Sequence, residues 1–243
     1  MRLPVKPYLQ QISLRPETLI DLDAHPFDIP AVRALGAIDF HADVTFFVGE
    51  NGAGKSTMLE AIALALGHGP EGGSRHVRIE TAGTVSRLHE ALRLVRGWKR
   101  PRDSYFLRAE SFFNVVTRMD ELGGVTGAGM SLHACSHGEA FMALLTERFG
   151  GNGLYLLDEP EAALSPNRQL AALSAIHQLV QEGSQFIIAT HSPILLAYPG
   201  AKILLFDGAG ITEVAYEDTE HYAVTRDFLN HHPRRLEQLL ADD

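Results

Sequence analysis

The run Gly49-Glu50-Asn51-Gly52-Ala53-Gly54-Lys55-Ser56-Thr57 has the spacing G-x-x-x-x-G-K-S of a phosphate-binding loop. Glycines let successive backbone N–H groups turn inward around phosphate oxygens, and a following helix N-terminus adds a positive end. Gly49, Asn51, Gly52, Ala53, Gly54, Lys55, Ser56 and Thr57 are therefore the candidate nucleotide contacts. Lys55 has the reach and charge for the β- and γ-phosphates, and the Ser56 hydroxyl suits Mg²⁺. The flanks fit this reading. Val44-Thr45-Phe46-Phe47-Val48 predicts a buried strand, and Met58–Leu66 a helix. Such a loop holds a nucleoside triphosphate.

Two further strands end in chemistry. Leu154-Tyr155-Leu156-Leu157 runs into Asp158-Glu159-Pro160. Neighbouring strand side chains point to opposite faces, so the two carboxylates should take different tasks. Asp158 is the candidate metal ligand, and Glu159 the group that orients or deprotonates an attacking water. Phe186-Ile187-Ile188-Ala189 leads to Thr190-His191, where the imidazole can hydrogen-bond a γ-phosphate. The candidate catalytic residues are Lys55, Glu159 and His191.

The elements that must position these groups alternate. Strands are predicted at Tyr8–Leu14 (an edge strand), Val44–Val48, Tyr105–Leu107, Leu154–Leu157, Phe186–Ala189, and in a hairpin of Ile203–Phe206 with Ile211–Val214. Helical spacing covers Thr57–Leu66, Val85–Arg96, Phe112–Met119, Ala140–Phe149 and Arg168–Val180, with two short helices parted near Pro233. Gly123–Gly129 reads as a loop. Strands alternating with helices imply an α/β fold with a largely parallel sheet, and the phosphate loop at the carboxyl end of a central strand.

Composition narrows the classes. The chain has 243 residues, 45% of them hydrophobic, and a net charge of −9. Its only cysteine, Cys135, excludes an internal disulfide. No apolar stretch reaches the roughly 20 residues that cross a bilayer, and the N-terminus has no apolar signal core, so a cytoplasmic protein without membrane insertion is expected. The charge is uneven. Between Pro70 and Arg108 there are nine basic residues against four acidic, and from Asp207 to Asp243 nine acidic against three basic. The basic segment is either a solvated face or a surface for phosphates or an acidic partner.

In order and wording these motifs resemble the ABC superclass of ATPases, over roughly Tyr8 to Phe206. The phrases Val48–Thr57 and Asp158-Glu159-Pro160-Glu161-Ala162-Ala163-Leu164-Ser165-Pro166 are similar to its soluble branch of SMC, RecF and OLD-type proteins and small stand-alone bacterial ATPases. The run Phe106-Leu107-Arg108-Ala109-Glu110-Ser111-Phe112-Phe113-Asn114 is shared with that last group. The resemblance implies a P-loop ATPase head with a mostly parallel sheet, an antiparallel edge and a small helical insertion. It implies one domain over 1–243, with a helical and basic insertion around 68–103 and a reduced helical subdomain around 111–150. ATP and Mg²⁺ are the implied ligands.

The family signature is a Ser-Gly-Gly-Gln type loop, and here Ser136-His137-Gly138-Glu139 takes its place. Ser136 and Gly138 would face the γ-phosphate bound by a second copy, so a homodimer closing on ATP is implied. Ser136 followed by Glu139 is also a capping box. The family's Mg²⁺-sensing glutamine is absent, and Glu110 stands where it would be, as a candidate metal group or as the partner of a nearby arginine. Ser165 stands where the family has aspartate. For the base, Phe27 and Tyr8 are stacking candidates that are equally core candidates. The functional expectation is an ATPase that drives conformational change in a nucleic-acid-related or defence and stress system, with nucleic acid or an effector protein at 75–108. A transporter's nucleotide-binding subunit and a non-hydrolysing ATP switch are the alternatives.

Overall fold

The computed structural model describes residues 5–16, 21–74, 86–112 and 136–241. The elements run β1 (Leu9–Leu14), α1 (Pro30–Arg33), β2 (Ala37–Asp39), β3 (Val44–Val48), α2 (Lys55–Leu66), β4 (Gly73–Ser74), α3 (Leu88–Ala91), β5 (Leu92–Arg96) and β6 (Asp103–Arg108). They continue with α4 (His137–Ala143, prolonged by a π turn over Leu144–Arg148), β7 (Gly153–Asp158), a 3₁₀ turn at Pro160–Ala163, α5 (Pro166–Gln181), β8 (Gln185–Ala189), α6 (Pro193–Leu196), β9 (Lys202–Asp207), β10 (Gly210–Val214) and α7 (Glu220–Leu240).

The main sheet has seven strands in the order β10-β9-β3-β8-β7-β6-β4. Its five central strands are parallel, and β10 and β4 form antiparallel edges. Each central strand is apolar on both faces, because helices cover both. On β3, Phe47 joins the core layer containing α2, while Val44, Phe46 and Val48 join the layer containing α4 and α5. On β7 and β8 the same alternation separates Leu154, Leu156 and Ile187 from Tyr155, Leu157 and Ile188. This double burial explains the unbroken apolar runs in the sequence. Among the described residues no helix is long and apolar enough to cross a membrane.

A second, three-stranded antiparallel sheet has the order β2-β1-β5. Two expectations are corrected here. The strand at Tyr8–Leu14 is the centre of this sheet, not an edge, because both β2 and β5 pair with it. The helix expected over Val85–Arg96 is only the turn Leu88–Ala91, after which the chain becomes β5. Leu92 and Leu94 pack into the core while Arg93 and Arg96 face solvent, and pairing with β1 overrides the helical spacing. The hairpin β9–β10 forms as expected. The break near Pro233 is a kink in α7, where His231 leaves helical geometry at φ −131°. Cys135, Arg75, Arg78, the 123–129 loop and most of the helix expected at 112–119 lie outside the described residues.

One buried side chain joins the two sheets. The Gln185 amide oxygen accepts from the N–H groups of Tyr8 (2.9 Å) and Leu9 (3.0 Å), and its nitrogen donates to the carbonyls of Leu9 (2.9 Å) and His41 (3.0 Å). Replacing it with an apolar residue leaves these backbone groups unpaired in the interior. Gln185→Leu is expected to lower unfolding free energy by about 3 kcal/mol or more in a urea titration. The exposed Gln178→Leu serves as control, with a change within about 0.5 kcal/mol.

Candidate functional site

Strand register assembles the site. Arg108 pairs in register with Asp158, Asp158 with Ala189, and Ala189 with Phe47, so the carboxyl ends of β6, β7, β8 and β3 lie in one row. The groups that follow those ends are Glu159, Thr190-His191 and the glycine loop. The loop turns back over the sheet at Gly49, where φ is +139° and a Cβ atom would lie 2.2 Å from the Phe206 carbonyl oxygen. Only glycine fits that approach.

Lys55 begins α2 and is 4% exposed. Its ammonium donates to the carbonyls of Gly49 and Glu50, both at 2.8 Å, curling over the mouth of the loop. Burial lowers its pKa, against the pull of Glu159, Asp158 and Glu161. The next residue, Ser56, donates its hydroxyl to Asp158 Oδ1 at 2.9 Å. Two oxygen donors from distant parts of the chain thus meet beside a lysine. Their chemistry fits Mg²⁺, which takes one or two protein oxygens and completes its shell with water and phosphate. Among the described residues no group of three or more His, Cys, Asp or Glu forms a self-sufficient metal site.

Asp158 is 3% exposed, and burial pushes its pKa up to about 6, against the Ser56 hydrogen bond and the Arg108 charge. Arg108 forms an ion pair with Glu60 (2.5 Å), and its Nε lies 3.4 Å from Glu110 and 3.8 Å from Asp158. Burial disfavours the Arg108 charge, but Glu60, Asp158 and Glu110 outweigh it and hold the group cationic. Glu110 itself is 81% exposed at its side chain and faces Arg108, its stated alternative partner.

Glu159 adopts a left-handed backbone conformation, φ 51° and ψ 51°, a strained geometry for a non-glycine residue and one typical of functional positions. Its Oε1 lies 3.8 Å from His191 Nε2, which is buried and has no hydrogen-bond partner among the described residues. His191 is held from three sides. Its backbone N–H donates to Glu161 Oε1 (2.5 Å), the preceding Thr190 hydroxyl donates to Glu161 Oε2 (2.7 Å), and its Nδ1 lies 2.9 Å from His221 Nε2. Burial and the Lys55 charge lower the His191 pKa, with Glu159 opposing.

The structure therefore gathers Lys55, Ser56, Asp158, Glu159 and His191. Ser136 and Gly138 lie elsewhere. Glu139 accepts from the backbone N–H and the hydroxyl of Ser136, both at 2.8 Å, and Arg168 binds both residues, at 3.2 Å to Ser136 and 3.1 Å to Glu139. This is the capping box at the start of α4. A Cβ at Gly138 would stand 2.3 Å from Arg168 and 2.8 Å from the Ala163 carbonyl oxygen, so the loop packs tightly on the turn after Glu159.

Both stacking candidates are core residues. Tyr8 is 2% and Phe27 9% exposed, and the Tyr8 hydroxyl donates to Gly183 at the amino end of β8, away from the loop. A cleft of about 450 Å³ opens beside the loop instead, between residues 48–53, 205–208 and 218–221. Arg108, Glu161 and His221 are site residues that the sequence did not flag. Arg108 counted only within the basic segment and the run Phe106–Asn114, Glu161 only within the run Asp158–Pro166, and nothing local links His221 to His191.

A glycine loop at a strand end, a buried lysine and a serine–aspartate pair define a P-loop nucleoside triphosphatase. The comparisons agree. A family model described as "AAA domain" matches residues 33–92, and one described as "AAA domain, putative AbiEii toxin, Type IV TA system" matches 134–197. The chain is 25% identical to the lipoprotein-releasing system ATP-binding protein LolD 2 of Caulobacter vibrioides, over 74% of this chain and 88% of that one. It is 27% identical to the hemin import ATP-binding protein HmuV of Nocardia farcinica, over 93% and 84%. Among solved structures, the SMC head domain from Thermotoga maritima aligns with a TM-score of 0.47 at 14% identity, over 85% and 99%. The chain carries AAA-type P-loop ATPase domains and is similar to ATP-binding proteins of the ABC superclass.

Asp158 carries a testable signature. Its folded pKa of about 6 lies above the ordinary value of 3.8. The stability this group contributes is complete below about pH 4 and is lost as pH rises through about 6. Asp158→Asn is thus expected to stabilise the nucleotide-free, metal-free protein at pH 7 by about 1–3 kcal/mol, after allowing for weakened contacts to Ser56 and Arg108. Thermal melts should show the gain at pH 7 and none near pH 4, while phosphate release from ATP is abolished.

Proposed function

We infer that this site binds ATP with Mg²⁺ and hydrolyses it between two copies of the chain. Lys55 and the N–H groups of residues 49–57 would hold the phosphates, and Ser56 and Asp158 would hold the metal. Bound there, Mg²⁺ supplies charge neutralisation on the β- and γ-oxygens. Glu159 would take the proton of the attacking water, and His191 would direct Nε2 at the γ-phosphate. The cleft beside the loop has the volume for ribose and base. The observation that carries this reading is the Ser56–Asp158 contact at 2.9 Å, with Glu159 and His191 next to it.

The signature loop supports the two-copy arrangement. Among the described residues the hydrogen-bond partners of the Ser136 hydroxyl are Glu139 and Arg168, both outside the phosphate loop of its own chain. Ser136 and Gly138 would serve the site of the second copy. Closure and opening would drive change in a nucleic-acid-related or defence and stress system. The basic segment supports a phosphate-rich partner. Its described part carries Trp98, 65% exposed, beside exposed Arg96, Arg100 and Arg102. A second reading, a transporter's ATP-binding subunit, is favoured by the printed names of the curated relatives.

Light scattering on Glu159→Gln separates these outcomes. The mass is expected to double only with ATP and Mg²⁺ together. A monomer with ATP demonstrably bound would contradict the two-copy site. Adding DNA to the closed form is expected to give binding that weakens steeply with salt. Salt-insensitive or absent binding, with co-purification of a membrane partner, would favour the transporter reading.

A further inference from the structure

His221 is the second residue of α7, far along the chain from the site motifs, yet its Nε2 lies 2.9 Å from His191 Nδ1. The two rings are 5.0 Å apart between centroids and tilted by 54°. A hydrogen bond between two neutral imidazoles carries one proton, and that proton decides which nitrogen of His191 is left bare. If His191 donated from Nδ1, its Nε2 lone pair would face the Glu159 carboxylate at 3.8 Å. If His221 donates, His191 carries its proton on Nε2 and turns an N–H toward Glu159. Electrostatics selects the second arrangement, since a lone pair against a carboxylate repels and an N–H attracts.

We propose that His221 is a positioning residue: it donates from Nε2 to His191 Nδ1 and holds His191 in the tautomer with its proton on Nε2. That proton is the one the γ-phosphate contact needs, so the inference rests on the reading of His191 given above. Burial lowers the pKa of both rings, each also feeling the positive charge of Lys55, which keeps the pair neutral near pH 7. The role also ties α7 to hydrolysis. No residue of this helix is buried, and its contact with the site runs through the first turn.

The test uses four forms of the full chain. Long-range ¹H–¹⁵N spectra of the wild type are expected to show His191 protonated on Nε2. His221→Leu keeps bulk and removes the donor, so the His191 signals should shift toward mixed tautomers. Its kcat should fall on the order of 10- to 100-fold, with KM for ATP within about twofold. His221→Gln places an amide N–H near the position of Nε2 and should restore kcat to within about threefold of wild type. Should the leucine variant not fold, the wild-type spectrum and the glutamine variant still decide. A wild-type His191 protonated on Nδ1, or a folded leucine variant with unchanged kcat and unchanged His191 signals, would overturn the proposal. His191→Ala at wild-type kcat would instead remove the γ-phosphate role of His191, leaving the tautomer measurement to judge His221 by itself.

Discussion

The hydrogen bond from Ser56 to Asp158 joins the start of α2 to the end of β7, and the site is built outward from it. It exists because β3 and β7 lie two strands apart in one parallel sheet, with β8 between them. Parallel strands end at the same edge of the sheet, so residues remote in sequence finish side by side. The register does the rest, setting Arg108, Asp158 and Ala189 in a row. Phe47, Leu156 and Ile187 on one face, and Phe46, Tyr155 and Ile188 on the other, keep these strands from sliding. A shift of one residue would expose each set to the wrong layer.

Against that apolar sheet the site concentrates charge. Lys55 and Asp158 are both nearly inaccessible to water, and each has its pKa displaced toward the neutral form by burial. Arg108, Glu60 and Glu161 partly offset the cost, and Glu161 spends both oxygens on the Thr190-His191 turn. A fold optimised only for stability would not gather these groups. Their arrangement matches electrostatics prepared in advance for a phosphate chain and its metal, where donors and charges are worth more than they are in water.

Legibility from sequence followed the range of the interactions. The phosphate loop, Asp158 and Glu159 could be read because each sits in a local frame of apolar strand and turn. The capping box at Ser136 was equally local, a serine and a glutamate three residues apart. The segment Val85–Arg96 misled, because Leu92 and Val95 fit both helical spacing and the strand β5, and only pairing with β1 decides between them. Arg108 and His221 were hidden for a deeper reason. Their roles depend on which strands are neighbours and on where α7 begins, and neither is written in nearby residues.

The central claim is that Glu159 drives hydrolysis of ATP held by the loop and the Ser56–Asp158 pair. The most direct measurement follows ATP binding and phosphate release in parallel for the wild type and Glu159→Gln. The account predicts Mg²⁺-dependent turnover by the wild type. The variant should bind ATP with unchanged affinity while turnover drops on the order of 100-fold or more. Equal turnover in the two proteins would remove Glu159 from the mechanism, and tight binding without turnover in the wild type would make the chain a nucleotide switch.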